Sequence, residues 1–466
     1  MRCRRQFIVI VWILSSTTAI VAQSSASSLR GDVTDSSGAA IVGAQLVLEN
    51  PATGFTGSCF TDSQGEYRFH QIPSGKYMIS ATAREFTKQA KAVELLVNQP
   101  VTEKFSLSVQ SLETVVEVSA GKHELNFVDA SVGDAVDDAT IQSLPMEGRN
   151  VPDLLSLQPG VLYLGSGNDQ SHDSRSGASA GGRSDQGNAT LDGVDNNDQA
   201  RGYAFTGVLR STLDSVQDFR VTTAGFGADS GRSSGAQVSL ITKSGTNRVH
   251  GSLYEYNRSS IGEANDWFNK QAELSNGRPN LPGKLIRNTF GASLGGPIKK
   301  DRVFFFVNYE GQQTSENQQQ TLTVPTASMR AGNIQYATSI GNGSVLLSPA
   351  QIAAMDPKCS ANGTCPAGPG VNPSVLTVLN LYPAPNGLSA GDGLNTASYT
   401  WSAPNPASLN TSIARLDSML SRHNWFFARG NLQSDIQSGV PQFPSQPAST
   451  ANTDNSKGFV VGDKPL

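Results

Sequence analysis

The fold of this 466-residue chain is decided by the stretch VFFFVNYE at residues 303–310. Side chains along a β-strand point alternately to opposite faces. One face of this stretch carries Val303, Phe305, Val307 and Tyr309, and the other carries Phe304, Phe306, Asn308 and Glu310. An apolar face that ends in an aromatic side chain, backed by a face that turns polar, is typical of a strand that separates lipid from a wet lumen.

Three other stretches show the same alternation, and we predict that they belong to the same barrel wall. The outward sets are Asn288, Phe290, Ala292 and Leu294; Ala414, Leu416, Ser418 and Leu420; and Phe426, Ala428, Gly430 and Leu432. Arg415 and Arg429 fall on the opposite, inner face. This placement fits a wet lumen, because an arginine on the lipid face would cost about 2–4 kcal/mol at mid-bilayer.

The predicted wall is incomplete. Residues 246–466 supply only about five convincing strands of the 9–11 residues that a membrane strand needs. The Pro/Asn/Gly/Ser-rich stretch 314–409 is predicted to be a large extracellular loop, and residues 433–466 are predicted to be loop without a terminal strand. Because an unclosed sheet leaves unsatisfied backbone groups in hydrocarbon, we expect the chain to be the N-terminal portion of a larger barrel protein.

Composition excludes several classes of protein. Charged residues make up 16% of the chain and the net charge is −4, so neither charge-driven disorder nor a nucleic-acid partner is expected. The 46 Gly and 23 Pro favour short strands and turns over a helical bundle. Five scattered His and the lack of an H-E-x-x-H motif or a G-x-S-x-G elbow predict no enzyme, no metal site and no cofactor.

Residues 1–22 have the pattern of a secretory signal peptide. Basic residues (Arg2, Arg4 and Arg5) precede the apolar run 7–14, and small residues follow. The alternative is a membrane anchor, but the apolar run is short for a spanning helix. We therefore expect the chain to be exported.

Two of the four cysteines flank a tight polar loop. Cys359 and Cys365 are separated by SANGT, and in an exported protein we predict that they form a local disulfide. A zinc site is not expected, because no His or further Cys lies nearby. Cys59 is predicted to pack alone as a small apolar side chain.

Residues 28–108 contain short alternating strands separated by turn signals, which predicts a β-sandwich. The stretch contains G-x-V-x-D-x-x-G from residue 31, T-D-x-x-G-x-Y-x-F from residue 61 and I-P-x-G-x-Y from residue 72. These motifs together resemble the carboxypeptidase regulatory-like domain, which has a prealbumin-like sandwich. The resemblance implies an accessory domain without catalytic residues.

The run SLETVVEVSA at residues 111–120 follows this domain. One interpretation is a final strand or a linker. The other is an unpaired strand offered to a partner sheet. The run resembles the TonB box of outer-membrane receptors, which implies that an energy-coupling protein binds it. The residues implied in that contact are Glu113, Thr114, Val115, Val116, Glu117 and Val118.

Residues 121–245 contain an ordered series of motifs that includes GRN at 148–150, LDGVDNND at 191–198 and LDSVQDFRV at 213–221. The series resembles the plug domain of TonB-dependent receptors, and it is most similar to the Oar-like branch. Asp192, Asp195 and Asp198 raise a calcium hypothesis, but their spacing is not that of an EF-hand loop. We prefer Asx-type turns at these positions.

The resemblance implies a mainly β chain with a sandwich, an α+β plug and the start of an incomplete transmembrane barrel. It implies an outer-membrane TonB-dependent receptor that takes up a bulky solute such as chelated iron or oligosaccharide, here truncated, with its N-terminal domain in the periplasm. The implied partners are a TonB-type protein of the inner membrane, outer-membrane lipid and an unknown solute. The alternative is a secreted or surface adhesion or scaffold protein.

Overall fold

The computed structural model describes residues 26–465, except for the segments 110–130, 145, 147, 150, 164–176, 180, 184, 185, 198–207, 228–230, 232, 233, 276, 278, 347, 357, 359–364, 366–370, 422 and 423. Strands account for 54% of the residues and helices for 12%. The predicted mainly β fold class is therefore confirmed. The predicted signal peptide at residues 1–22 lies outside the described residues.

The first unit is a sandwich of two sheets. Its strands are β1 (Ser27–Asp35), β2 (Gln45–Asn50), β3 (Phe55–Phe60), β4 (Glu66–Ile72), β5 (Gly75–Thr82), β6 (Gln89–Leu95), β7 (Val101–Thr102) and β8 (Phe105–Leu107). One sheet has the order β4-β1-β7, with β8 also paired to β1, and the other has the order β3-β2-β5-β6. Alternate side chains fill the space between the sheets, and Leu29, Leu46, Tyr67 and Ile79 are each at most 1% exposed.

The second unit is the region predicted to be a plug, and we call it the plug from here on. Its elements are β9 (Val132–Asp137), α1 (Asp138–Ser143), a 3₁₀ helix (Val151–Leu157), β10 (Val161–Tyr163), β11 (Gly177–Ser179), β12 (Gly182–Arg183), β13 (Asn188–Leu191), β14 (Val194–Asp195), a second 3₁₀ helix (Leu213–Ser215), β15 (Val216–Ala224) and β16 (Gln237–Thr242). The main sheet has the order β14-β13-β16-β15-β9, and β10-β11-β12 form a small second sheet. Leu154, Leu155, Phe219 and Val221 are fully buried in the plug core.

The third unit is a curved wall with long insertions. Its elements are β17 (His250–Ser259), α2 (Trp267–Ser275), β18 (Leu285–Lys299), β19 (Val303–Pro325), α3 (Ala327–Arg330), β20 (Asn333–Thr338), β21 (Gly341–Leu346), α4 (Pro349–Met355), α5 (Pro373–Leu381), β22 (Thr396–Pro404), β23 (Ala407–Ser421), β24 (Asn424–Ser438), β25 (Ala451–Asp454) and β26 (Lys457–Pro465). The wall sheet has the order β17-β18-β19-β23-β24-β25, with β22 on β19 and β26 on β24. Among the described residues it is not closed, because β17 lies at one edge and β25 and β26 lie at the other.

The predicted faces of the wall are confirmed. Phe304, Phe306, Asn308 and Glu310 are buried on the inner face, whereas Tyr309 is exposed on the outer face. An apolar belt runs round the outside of the sheet. Its exposed members include Ile286, Phe290, Leu294, Ile298, Val307, Tyr309, Leu416, Leu432, Phe459 and Val461.

Two predicted loops are partly wrong. The stretch 433–466 contains the end of β24 and all of β25 and β26, which pair with β24 in antiparallel register. The stretch 314–409 contains the end of β19, β22 and the start of β23, so the insertion between β19 and β22 is only 326–395. Residues 317–321 of β19 carry polar side chains on both faces, and in β26 only Phe459 and Val461 mark an outer face. The backbone groups of these strands nevertheless pair across the sheet.

Within the described residues, no helix is both long enough and apolar enough to cross a membrane.

Candidate functional site

The plug presents one buried carboxylate to the wall. Asp192 and Gly193 form the two-residue turn between β13 and β14, with φ of 54° and 81°. Positive φ at both central residues is the geometry that Asp-Gly favours in a tight hairpin. Oδ1 of Asp192 accepts hydrogen bonds from the backbone N (2.9 Å) and Oγ1 (3.1 Å) of Thr242 on β16. The carboxylate is therefore fixed by the plug itself.

Two arginines of the wall reach this carboxylate. Arg415 on β23 and Arg429 on β24 are direct cross-strand partners, and both side chains face inward. Arg415 Nη1 lies 3.1 Å from Asp192 Oδ1, and Arg429 Nε lies 2.7 Å from Asp192 Oδ2. The side chains of Asp192 and Arg429 are 2% and 1% exposed. Ion pairs from which water is excluded thus join the plug to the wall.

A second carboxylate balances the charge of this cluster. Oδ1 of Asp417 lies 2.9 Å from Arg415 Nη2 and accepts a hydrogen bond from Nε1 of Trp425 at 3.1 Å. Its Oδ2 accepts a hydrogen bond from Oγ of Ser244, which follows the last plug strand, at 2.8 Å. Two arginines face two carboxylates, so the buried cluster carries no net formal charge. We call these four residues the plug–wall junction: Asp192, Arg415, Asp417 and Arg429.

A second contact uses an arginine of the plug. Arg149, with φ of 50°, lies in the GRN motif, and its Nη2 is 2.7 Å from Oδ2 of Asp214. Its guanidinium carbon lies 4.0 Å from the ring centre of Tyr256 on β17, at the distance of a cation–π contact. Tyr254 on the same strand donates a hydrogen bond to Oε2 of Glu310 at 2.8 Å, and that oxygen is 3.9 Å from Arg149 Nη2. Arg149 thus meets an aromatic and acidic patch of the wall.

A third contact joins the plug segment 208–212 to the wall. Nη2 of Arg210 is 2.6 Å from Oγ1 of Thr411 and 3.2 Å from Oδ1 of Asp435, both on the wall. Burial lowers the pKa of Arg210, but the group stays charged because an arginine remains protonated in proteins. Thr212 donates to Oδ1 of Asn308 at 2.8 Å. Polar plug residues thus line up against polar inner-face residues.

This arrangement can hold and release a plug, and it offers no catalytic geometry. Removal of one partner from a buried ion pair costs about 3–5 kcal/mol, because the other charge stays buried. The junction therefore stabilises one seated position of the plug in the wall. In the described part of the chain, no three His, Cys, Asp or Glu side chains group in a way that could hold a metal ion.

The aspartates of the LDGVDNND motif have different roles. Asp195 forms the predicted Asx-type turn, because its Oδ1 accepts a hydrogen bond from the backbone N of Asn197 at 2.8 Å. For Asp192 that prediction is wrong, since its carboxylate binds two wall arginines instead. Asp198 lies outside the described residues.

The other predicted site residues are only partly covered. Glu113, Thr114, Val115, Val116, Glu117 and Val118 lie outside the described residues, so their contact with a coupling protein stays a prediction. Cys365 is disulfide-bonded, but Cys359 lies outside the described residues. Their pairing therefore also stays a prediction. Cys59 is free and half-buried against the sandwich core, where burial raises the pKa of its thiol to about 11.

The junction itself was not predicted. The sequence put Arg415 and Arg429 on the inner face, but it did not connect them to Asp192. The sequence did contain a signal for this contact, because two arginines on the inner face need carboxylate partners when they are buried. Asp192 follows the buried strand β13 and occupies a tight turn, which made it a candidate.

Comparisons with known proteins agree with this architecture. Residues 28–108 match the family model of the carboxypeptidase regulatory-like domain, and residues 241–464 match that of an outer membrane beta barrel domain. The chain is 27% identical over 279 residues to the TonB-dependent transporter Oar of Myxococcus xanthus. That alignment covers 56% of this chain and 24% of the relative, so the chain spans about a quarter of the length of that protein.

Two solved structures show a looser likeness. The outer membrane transporter YddB from Escherichia coli has a TM-score of 0.41 and 11% identity, over 74% of this chain and 39% of that chain. The siderophore receptor PirA from Acinetobacter baumannii has a TM-score of 0.32 and 14% identity, over 72% and 46%. At these scores neither structure adds support beyond the sequence matches. Those matches identify the chain as a homologue of the Oar TonB-dependent transporter that joins a carboxypeptidase regulatory-like domain to an outer membrane β-barrel domain.

Proposed function

We propose that this chain supplies the periplasmic sandwich, the plug and the first wall strands of an outer-membrane receptor that imports a bulky solute. A signal peptide at residues 1–22 would export it. A TonB-type protein of the inner membrane would bind the extended segment 113–118 and pull on the plug. Chelated iron and oligosaccharide are the solute classes that we consider.

The observation that carries this proposal is the plug–wall junction. A plug that must stay seated at rest, and leave when it is pulled, needs a few strong contacts instead of a continuous apolar interface. Asp192, Arg415 and Arg429 form such a contact, because separating them inside the buried site leaves charges unpaired, whereas water can solvate the same groups once the plug has moved out. An adhesion or scaffold protein has no need for buried charges between two of its units.

The segment 113–118 is tested by a backbone variant. Val116→Pro removes one backbone N–H and fixes φ, so this segment can no longer add a complete strand to a partner sheet. We expect site-specific cross-linking of the full chain to a purified TonB-type C-terminal domain to fall at least ten-fold. Asn126→Pro, in the same linker but outside the segment, is the matched control and should cross-link normally.

Equal cross-linking by the Val116→Pro and wild-type chains would refute the proposed coupling. The membrane location is tested separately. If the chain, expressed with its leader, fractionated as a detergent-free monomer with its apolar belt protected from solvent, the receptor proposal would be wrong.

A further inference from the structure

The sandwich is docked on the plug and on the rim of the wall. The contacts come from loops at one end of the sandwich. The hydrogen bonds are Asn98 Nδ2 to Ser239 Oγ (3.2 Å), Gln217 Nε2 to Ser74 Oγ (3.4 Å) and Asn247 N to Ala52 O (2.8 Å). Each joins one residue of the sandwich to one residue of the plug or of the turn before the wall, so the three units meet at this end.

One buried side chain is central to this contact. Arg220 lies on plug strand β15 and is 6% exposed. Its Nη1 donates to the carbonyl oxygens of Val97 (3.4 Å) and Asn98, which belong to the turn between β6 and β7 of the sandwich. Its Nη2 donates to Oγ of Ser131 at 3.3 Å. The guanidinium of Arg220 thus binds both the sandwich turn and Ser131.

Ser131 lies at the point where the chain enters the plug. The sandwich ends with β8 at Leu107, and Ser131 is the first described residue after the segment 110–130. Strand β9 begins at Val132, lies at the edge of the plug sheet and pairs with β15. Arg220 therefore contacts the chain where it enters the plug, beside the strand that any force on the linker reaches first.

We propose that the docked sandwich is a latch on the plug. Arg220 fastens the 97–98 turn and Ser131 to β15, so that β9 can separate from the plug sheet only after the sandwich has moved off. The latch rests on the proposed function solely for the source of the pulling force.

The geometry of β9 explains why a latch is needed. Val132 pairs with Ala224 and Asp137 pairs with Asp218, so a pull from the Val132 end opens the antiparallel pairs one after another. An edge strand opened in this way resists weakly, and thermal fraying alone would loosen it. The Arg220 guanidinium donates to two carbonyls of the sandwich and to the Ser131 hydroxyl at that end of β9. These contacts must break before the first pair of β9 can open.

Hydrogen exchange of the full chain in detergent micelles tests the latch. In the Arg220→Ala variant we expect the amides of β9 and of residues 96–99 to exchange at least ten-fold faster than in the wild-type chain, which corresponds to the loss of one hydrogen-bonded charge. The strands β2 and β5 in the sandwich core should be unchanged. Arg248→Ala, which removes an exposed arginine near the same rim, is the matched control and should leave all these amides unchanged.

A reducible cross-link separates a latch from a role of Arg220 inside the plug. Ser74→Cys with Gln217→Cys can join the sandwich to β15 through a short bis-methanethiosulfonate cross-linker, which replaces the length of the glutamine side chain that reaches Ser74. When the cross-linker joins this pair by two disulfides in the Arg220→Ala background (the oxidised triple variant), β9 should regain slow exchange, and reduction should abolish the gain.

Fast exchange of β9 in the oxidised triple variant would overturn the latch, as would an unchanged rate in Arg220→Ala. No coupling protein or solute is present in this experiment. Its failure would therefore leave the proposed uptake function standing, and the Val116→Pro experiment decides that function separately.

Discussion

Asp192 Oδ2 of the plug and Arg429 Nε of the wall lie 2.7 Å apart in a site that excludes water. Arg429 is among the largest fully buried side chains of the described residues. A lone guanidinium in that place would be costly, and the carboxylate of the Asp-Gly turn compensates for it. The wall strand and the plug turn therefore depend on each other.

Asp192→Asn should unseat the plug without unfolding the wall. The amide has nearly the same shape, but in the described contacts it leaves Arg415 with Asp417 and Arg429 with no carboxylate partner. We expect the plug to lose about 3–5 kcal/mol of its docking free energy. Limited proteolysis in detergent should cut the plug at least a hundred-fold faster while the wall strands stay protected.

Asp195→Asn is the control for this variant. It changes an exposed aspartate three residues away, whose carboxylate accepts hydrogen bonds from Asn197. Its proteolysis rate should match that of the wild-type chain. Equal rates for Asp192→Asn and Asp195→Asn would show that the junction does not hold the plug.

The coupling between the two residues is measurable by a double-mutant cycle. Arg429→Gln alone removes one guanidinium and should destabilise the seated plug. Combined with Asp192→Asn, it leaves a neutral amide pair, so the double variant should be less damaged than the sum of the single variants. We expect a coupling energy of about 1–3 kcal/mol from equilibrium denaturation of the plug. Strict additivity would mean that the two charges do not interact.

A strand could be predicted from the sequence only where its side chains alternate between apolar and polar. The faces of β19 and β24 were read correctly, because alternation of apolar and polar residues reports burial directly. The outer part of β19 and all of β26 were missed. Residues 317–321 are polar on both faces and pair with β22 through their backbone, so period-two reasoning could not detect them.

The site was harder to predict than the fold, since ion pairs join residues from different units. Inner-face arginines and a motif aspartate were visible, but only the three-dimensional register brings Arg415 and Arg429 opposite each other and over the same turn. The latch contact of Arg220 was not foreseen at all. Its acceptors are backbone carbonyls, which carry no sequence signal.

A lipid-face substitution tests the orientation of the wall. Leu294 is exposed on the outer face of β18, between Phe290 and Ile298 in the apolar belt. Leu294→Arg would place a charge near mid-bilayer, at a cost of about 2–4 kcal/mol. We expect the fraction of chain that resists extraction from lipid vesicles by carbonate to fall markedly.

Leu388→Arg provides the matched change in the insertion 326–395, where the side chain is also exposed. This variant should insert as the wild-type chain does. If both variants were extracted equally, the outer face of β18 would not contact lipid.

The docking of the sandwich should depend on pH through Asp218. The pKa of this carboxyl is raised from 3.8 to about 6. Burial is the main cause and the charges of Glu94 and Asp137 contribute to the rise, while hydrogen bonds from Ser74 and the backbone of Val97 oppose it. The docked state therefore favours the protonated form.

The sign of the effect follows from proton uptake. Because docked Asp218 binds a proton more tightly than undocked Asp218, docking is strongest below about pH 4 and weakens as the pH rises to about 6. The total change should be about 1–3 kcal/mol. Exchange rates of the amides of residues 96–99, corrected for intrinsic pH dependence, should thus rise across this window.

Two variants test whether Asp218 is the group responsible. Asp218→Asn should remove the pH dependence of exchange and slow exchange at pH 7, whereas Asp195→Asn should keep the pH dependence. A pH-independent wild-type chain would contradict the burial of a charge at this interface.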